Sequence, residues 1–233
     1  MPRTYESSSI RKNRFDALRA ALGVTVILFS VSACSGSGDG EEEPFLSASQ
    51  VCGSTLDSAA AEALQRVGGT TKFSELPGTD DAGHPNKFSL EHAAGTLHDD
   101  ATERNQCDVF KAGDKTGYSL IEVDFSAVAS HPTAHGSQDD GGTENTIYPI
   151  GVYAKTHGNV SATLFFECSK RETGEKKNSS PYVRAYLYGT PDQVSPDSTG
   201  RDLMIILNSI SRAMAKQLGC ASGAALPARV PRA

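Results

Sequence analysis

The sequence predicts an α+β two-layer sandwich: a mostly antiparallel sheet of about five to six strands with about three helices on one face. Three observations lead there. Several stretches alternate apolar and polar residues with period two, the pattern of strands buried on one side only. Two short helical patterns precede them. A long apolar stripe with helical period closes the region.

Asp57 is positioned to cap a first helix running to about Val67, with Ala60, Leu64 and Val67 on one side and Glu62 and Arg66 on the other. Gly68-Gly69 stops it. Thr70–Leu76 reads as a short strand. Ser89 caps a second helix whose apolar stripe is Leu90, Ala93, Ala94, Leu97 and Ala101, interrupted by Gly95. Cys107–Lys111 is a strand, and Ala112–Gly117 (AGDKTG) is a tight turn leading into the next. There Ile121, Val123 and Phe125 alternate with Leu120, Glu122 and Asp124.

Ile147–Ala154 is expected as an edge or irregular strand because it holds Pro149, which has no amide proton to donate. Val160, Ala162, Leu164, Phe166 and Cys168 alternate with Ser161, Thr163, Phe165 and Glu167. Val183, Ala185 and Leu187 alternate with Arg184, Tyr186 and Tyr188. The closing helix spans about Asp202 to Leu218, with Leu203, Ile206, Leu207, Ile210, Ala213, Met214 and Leu218 as its stripe and Gly219 as its stop. Residues 221–233, with Pro227 and Pro231, read as a disordered tail.

Ahead of the folded region lies a different kind of segment. Arg3, Arg11, Lys12, Arg14 and Arg19 form a basic front, and Ala20–Ala33 (AALGVTVILFSVSA) is an apolar core. A membrane-crossing helix needs about 20 apolar residues, so this run suits a signal peptide better. The front has no Arg-Arg pair, which favours Sec export over the twin-arginine route. Val31-Ser32-Ala33-Cys34 resembles the lipobox of bacterial lipoproteins, with Val where Leu is commoner. That resemblance implies removal of residues 1–33 and a diacylglyceryl group on the sulfur of Cys34. Two acyl chains anchor stably, since each buried methylene contributes about 0.8 kcal/mol.

Residues 34–50 then form a flexible acidic Gly/Ser linker, with a root-mean-square reach of about 20 Å. Its carboxylates, Asp39, Glu41, Glu42 and Glu43, lack the spacing and turn glycine of a calcium loop. Residues 51–220 are expected to be a single domain. The chain has 22 Lys+Arg and 28 Asp+Glu, and the leader holds 5 and 2 of these, so the remainder carries a net −9. Such an acidic body has no electrostatic footprint for nucleic acid.

Cys52, Cys107, Cys168 and Cys220 remain after the anchor. An even number in an exported domain argues for two disulfides, with three possible connectivities. Pairing Cys52 with Cys220 staples the two ends of the domain and leaves Cys107 for Cys168; this is the favoured arrangement. No Cys-x-x-Cys or histidine pair supports zinc instead.

Catalytic and cofactor motifs are missing. There is no Gly-x-Ser-x-Gly elbow, phosphate loop or dinucleotide fingerprint, and no cofactor or metal is expected. His131 and His135 stand four apart with Asp139 and Asp140 behind them, but Pro132 and the surrounding Gly and Ser put them in a loop, where that spacing fixes no common face. His92 and His98 fall on roughly opposite sides of the second helix, and His84 and His157 are isolated. The candidate binding face is Tyr182, Arg184, Tyr186 and Tyr188, which share one side of a single strand. Tyrosines grouped with an arginine are typical anchors of recognition surfaces, although Tyr also has high strand propensity.

The lipobox, Val51-Cys52-Gly53 ahead of an Ala-rich helix, and LNSISRAMAKQLGC from Leu207 to Cys220 together resemble uncharacterised secreted lipoproteins of high-GC Gram-positive (actinobacterial) bacteria. The resemblance implies a location, anchored to the outer face of the cytoplasmic membrane, and no activity. The expectation is a non-catalytic binding or structural module of the cell envelope, whose partner is an envelope protein or polymer. The alternative is a small secreted hydrolase with a site built from distant loops; it requires a pocket where a histidine meets a serine or carboxylate.

Overall fold

The computed structural model describes residues 45–79, 83, 85–133, 145–168 and 180–233. The leader, Cys34, most of the linker, and His84, His135, Asp139 and Asp140 lie outside these residues. Among the described residues no helix is long and apolar enough to cross a membrane.

Chain order is α1 (Ser58–Gly68), β1 (Phe73–Ser74), α2 (Leu90–Gly95), β2 (Cys107–Lys111), β3 (Ile121–Val128), β4 (Asn145–Ile147), β5 (Tyr153–His157), β6 (Ser161–Glu167), β7 (Tyr182–Gly189) and α3 (Gly200–Gln217). The strands form one antiparallel sheet of seven in the order β1-β2-β3-β7-β6-β5-β4. The architecture is α+β as expected, with one strand more than the upper estimate.

α1 and α3 form for the reasons their sequences suggest. Asp57 accepts from the Ala60 amide at 3.0 Å, and Gly69 ends α1 in the left-handed conformation at φ 62°, which costs glycine little. Thr199 and Asp202 form a reciprocal capping box at the start of α3. The two helices lie antiparallel. The Ser209 hydroxyl and Arg212 of α3 meet Asp57 at one end, while Arg66 reaches Asp202 at 2.8 Å at the other. α3 lies across β5, β6 and β7, and Leu203, Ile206, Leu207 and Ile210 are fully buried between α1 and the sheet.

α2 is shorter than its stripe suggests. It stops at Gly95, the Thr96 hydroxyl turns back to the His92 carbonyl at 3.0 Å, and the Leu97 carbonyl accepts from Ala127 at the end of β3. Leu97 is still buried, but Ala101 falls in an exposed 3-10 turn. The expected strand Ile147–Ala154 is instead a hairpin. Its turn holds Pro149 and Gly151, the latter at φ 61° with its amide bonded to the Ala225 carbonyl, and β4 pairs back onto β5.

Two expectations fail outright. The disulfides join Cys52 to Cys107 and Cys168 to Cys220, not Cys52 to Cys220 and Cys107 to Cys168. Leu46 bridges to Phe73 of β1, so the chain through Cys52 runs beside the strand pair that contains Cys107, while Cys168 follows β6, on which α3 packs just before Cys220. Residues 221–233 are not a disordered tail. Asn208 donates to the Pro227 carbonyl at 2.9 Å, Arg201 donates to the carbonyls of Val230 and Pro231, and Ala224 and Val230 are buried.

Candidate functional site

β7 occupies the middle of the sheet, so its two faces experience different surroundings. Val183, Ala185 and Leu187 are buried on the helix side. Tyr182, Arg184, Tyr186 and Tyr188 lie half-buried on the other side, as their alternation predicts.

The strand register adds the neighbours. Tyr188 sits between Glu122 of β3 and Ser161 of β6; Tyr186 sits between Asp124 and Thr163. Arg184 is flanked by Ser126 and Phe165, and Tyr182 by Val128 and Glu167. One strand further, Tyr153 and Lys155 of β5 stand opposite Phe165 and Thr163. An aromatic cluster results: Phe165 meets Tyr153 edge-on with centroids 6.0 Å apart, and the His131 ring meets Tyr182 edge-on at 4.6 Å. Edge-to-face packing suits rings whose faces are electron-rich and whose edges are positive.

Arg104, in the loop before β2, places Nε and Nη2 on the two carboxylate oxygens of Asp124 at 2.9 and 3.0 Å. Arg184 approaches the same carboxylate only to 3.8 Å, beyond hydrogen-bonding distance. Its guanidinium lies 5.9 Å from the Tyr186 ring, and its Nε is buried without a partner, as is the Ser126 hydroxyl directly opposite. Two guanidinia thus share one carboxylate.

The far end of the same face is acidic. Asp108 stands opposite Glu122, which accepts from the Ser119 hydroxyl at 2.6 Å. Burial pushes the Asp108 carboxyl up to about 6; the charges of Glu122 and Glu75 add to the effect, and the Gln106 side chain opposes it.

Elsewhere the candidate chemistry separates. His131 Nδ1 contacts the Pro132 carbonyl, and His157 Nδ1 contacts the Asn145 side-chain oxygen at 3.3 Å; neither is a catalytic pairing with serine or carboxylate. Ala112–Gly117 is the turn expected between β2 and β3, closed by Asp114 on Thr116, whose hydroxyl holds the Asp114 carboxyl below its ordinary value. Cys52, Glu75 and Cys107 bring three donor atoms together, but the disulfide leaves no thiolate to hold a metal. The Glu75 carboxyl is pushed up by burial, against the pull of the Cys52 amide and Lys87. It borders a cavity of about 320 Å³ lined by Leu46, Leu76, Pro77 and Lys87. A second cavity, about 470 Å³, lies between Tyr148, Arg201 and Arg232. Neither is lined by the tyrosine strip.

Arg104, Asp124, Ser126, Tyr153 and Phe165 join the face only through strand order, which no local pattern in the sequence encodes. In comparisons with known proteins, no family model, no curated protein and no solved structure matches the chain.

Proposed function

We propose that this chain is an extracytoplasmic lipoprotein, tethered by a diacylglyceryl group on Cys34 to the outer face of the cytoplasmic membrane. Its folded domain acts there as a non-catalytic binding module for a component of the cell envelope. The observation that carries the binding reading is the Tyr182–Arg184–Tyr186–Tyr188 strip, which lies on the sheet face opposite the buried helix side and holds an arginine that has no hydrogen-bond acceptor among the described residues. Supporting the location are the lipobox resemblance at Val31–Cys34 and the pairing of the four later cysteines, a chemistry suited to oxidising compartments.

Two measurements test this. Intact mass of membrane-extracted protein is expected to show a chain starting at Cys34 with a diacylglyceryl addition. Recovery of an unacylated chain with its leader attached would rule out the anchor. For the binding role, Arg184→Ala with Tyr186→Ala is expected to weaken retention on envelope preparations by at least about thirtyfold, the loss of one recognition hot spot. Equal retention by both proteins, with both folded, would exclude this face.

A further inference from the structure

The centre of the open face carries a charge opposite to that of the chain around it. From residue 34 onward the chain has a net −9, the balance of 17 Lys+Arg against 26 Asp+Glu. Yet Arg104 and Arg184 share the single carboxylate of Asp124, which leaves one positive charge in excess. Lys155, across Thr163 from Tyr186, forms no ion pair among the described residues and adds a second. The other acids of the face sit at its two ends: Asp108 and Glu122 at one, where Ser119 occupies Glu122, and Glu167 beside Tyr182 at the other.

Arg184 is poised as a donor. Arg104 bonds both oxygens of Asp124, and among the described residues the Arg184 guanidinium has that carboxylate at 3.8 Å and no acceptor in hydrogen-bond range. Its side chain is 38% exposed, which leaves its outer nitrogens accessible. A planar fork of this kind matches carboxylate or phosphate oxygens. Tyr182 and Tyr186 stand on either side of it on the same strand, about 13 Å apart. Their rings offer electron-rich faces and polar hydroxyls, a surface that accepts the C–H side of a sugar ring while hydrogen-bonding its edge.

We propose that this face binds an acidic glycan, with one acid group of the polymer on Arg184 and sugar rings lying on Tyr182 and Tyr186. The distance between the two tyrosines calls for an oligosaccharide rather than a single sugar. The acidic body disfavours a densely charged polyanion such as a nucleic acid, whereas a glycan with widely spaced acid groups meets mainly the local positive charge. The acid group is either a carboxylate, as in a uronic acid, or a phosphate linking sugars. This inference rests on the reading of the face as a recognition surface.

The test is titration calorimetry on the full-length chain in detergent. The probes are an oligogalacturonate for the carboxylate source, a sugar-phosphate oligomer for the phosphate source, a neutral glucan of equal length, and a single-stranded oligonucleotide. At least one acidic oligosaccharide is expected to bind, more weakly as salt is raised. Arg184→Gln is expected to weaken that binding at least about tenfold, the value of one charge-assisted hydrogen bond. Arg184→Lys keeps the charge but loses the planar fork, and is expected to bind between the original and Arg184→Gln with the melting temperature unchanged, a graded loss that a purely structural role for Arg184 does not predict. Tyr186→Leu is expected to reduce binding with the melting temperature unchanged. Should Arg184→Gln fail to fold, the salt dependence and the Arg184→Lys variant carry the decision.

Equal binding of the neutral glucan or of the oligonucleotide would overturn the acidic-glycan assignment, as would indifference to Arg184→Gln. If no oligosaccharide binds while Tyr186→Ala still lowers envelope retention, the glycan assignment falls and the recognition surface stands. If retention is also unaffected, both fall.

Discussion

Asp108 faces Glu122 across β2 and β3, its Oδ1 is buried without a partner, and its carboxyl is pushed up from an ordinary 3.8 to about 6. Between about pH 4 and pH 6 the folded chain therefore holds a proton that the unfolded chain has released. The stability linked to this carboxyl is complete below about pH 4 and is lost as pH rises through about 6. Asp108→Asn is expected to stabilise the protein by about 1–2 kcal/mol at pH 7.5, allowing for solvent screening, and to change little near pH 4. Urea midpoints at the two pH values decide it; a gain at pH 4 as large as at pH 7.5 would refute the account. Gly151 supplies the second prediction at this scale. A Cβ there meets the Phe165 carbonyl oxygen at 2.2 Å, and the backbone is already at φ 61°. Gly151→Ala is expected to cost about 2–4 kcal/mol in chemical denaturation, since backbone rather than a flexible side chain must yield.

Among the elements, α3 sustains the helix layer, and its first turn depends on Thr199. That hydroxyl accepts from the Asp202 amide, and Asp202 also receives Arg66. Thr199→Ala is expected to lower stability by about 1–2 kcal/mol, and Thr199→Ser by far less, as measured by urea midpoint. α1 and α3 were legible because each signal for them is local: a capping side chain, a stripe of period 3.6 and a glycine stop. α2 and the β4–β5 hairpin were not. The apolar stripe through Leu97 and Ala101 has helical spacing, but the Leu97 carbonyl is drawn into pairing with Ala127, a partner far away in sequence. Between Ile147 and Ala154, Pro149 gave a correct warning of irregularity. It could not show that Gly151 bonds to Ala225 and reverses the chain. The strip on β7 was readable because period two is local, while its cationic centre was hidden because it depends on which strands become neighbours.

At the level of the whole molecule, the cysteines show the same limit. Their number argued for two bridges, but the pairing follows from sheet order and from where α3 comes to rest. Non-reducing proteolytic mapping is expected to recover peptides linking Cys52 with Cys107 and Cys168 with Cys220; any peptide joining Cys52 to Cys220 would contradict the fold. Each bridge closes a loop of similar size, with partners 55 and 52 residues apart, worth about 4 kcal/mol in the chain-entropy model. The two loops follow one another along the chain and do not enclose one another. For a polypeptide emerging N-terminus first, the earlier pair can oxidise as soon as residue 107 is out, while much of the sheet has yet to appear. The later pair then locks without any sulfur having to exchange partners. A nested arrangement would have kept Cys52 waiting for the last cysteine, exposed in the meantime to two wrong matches.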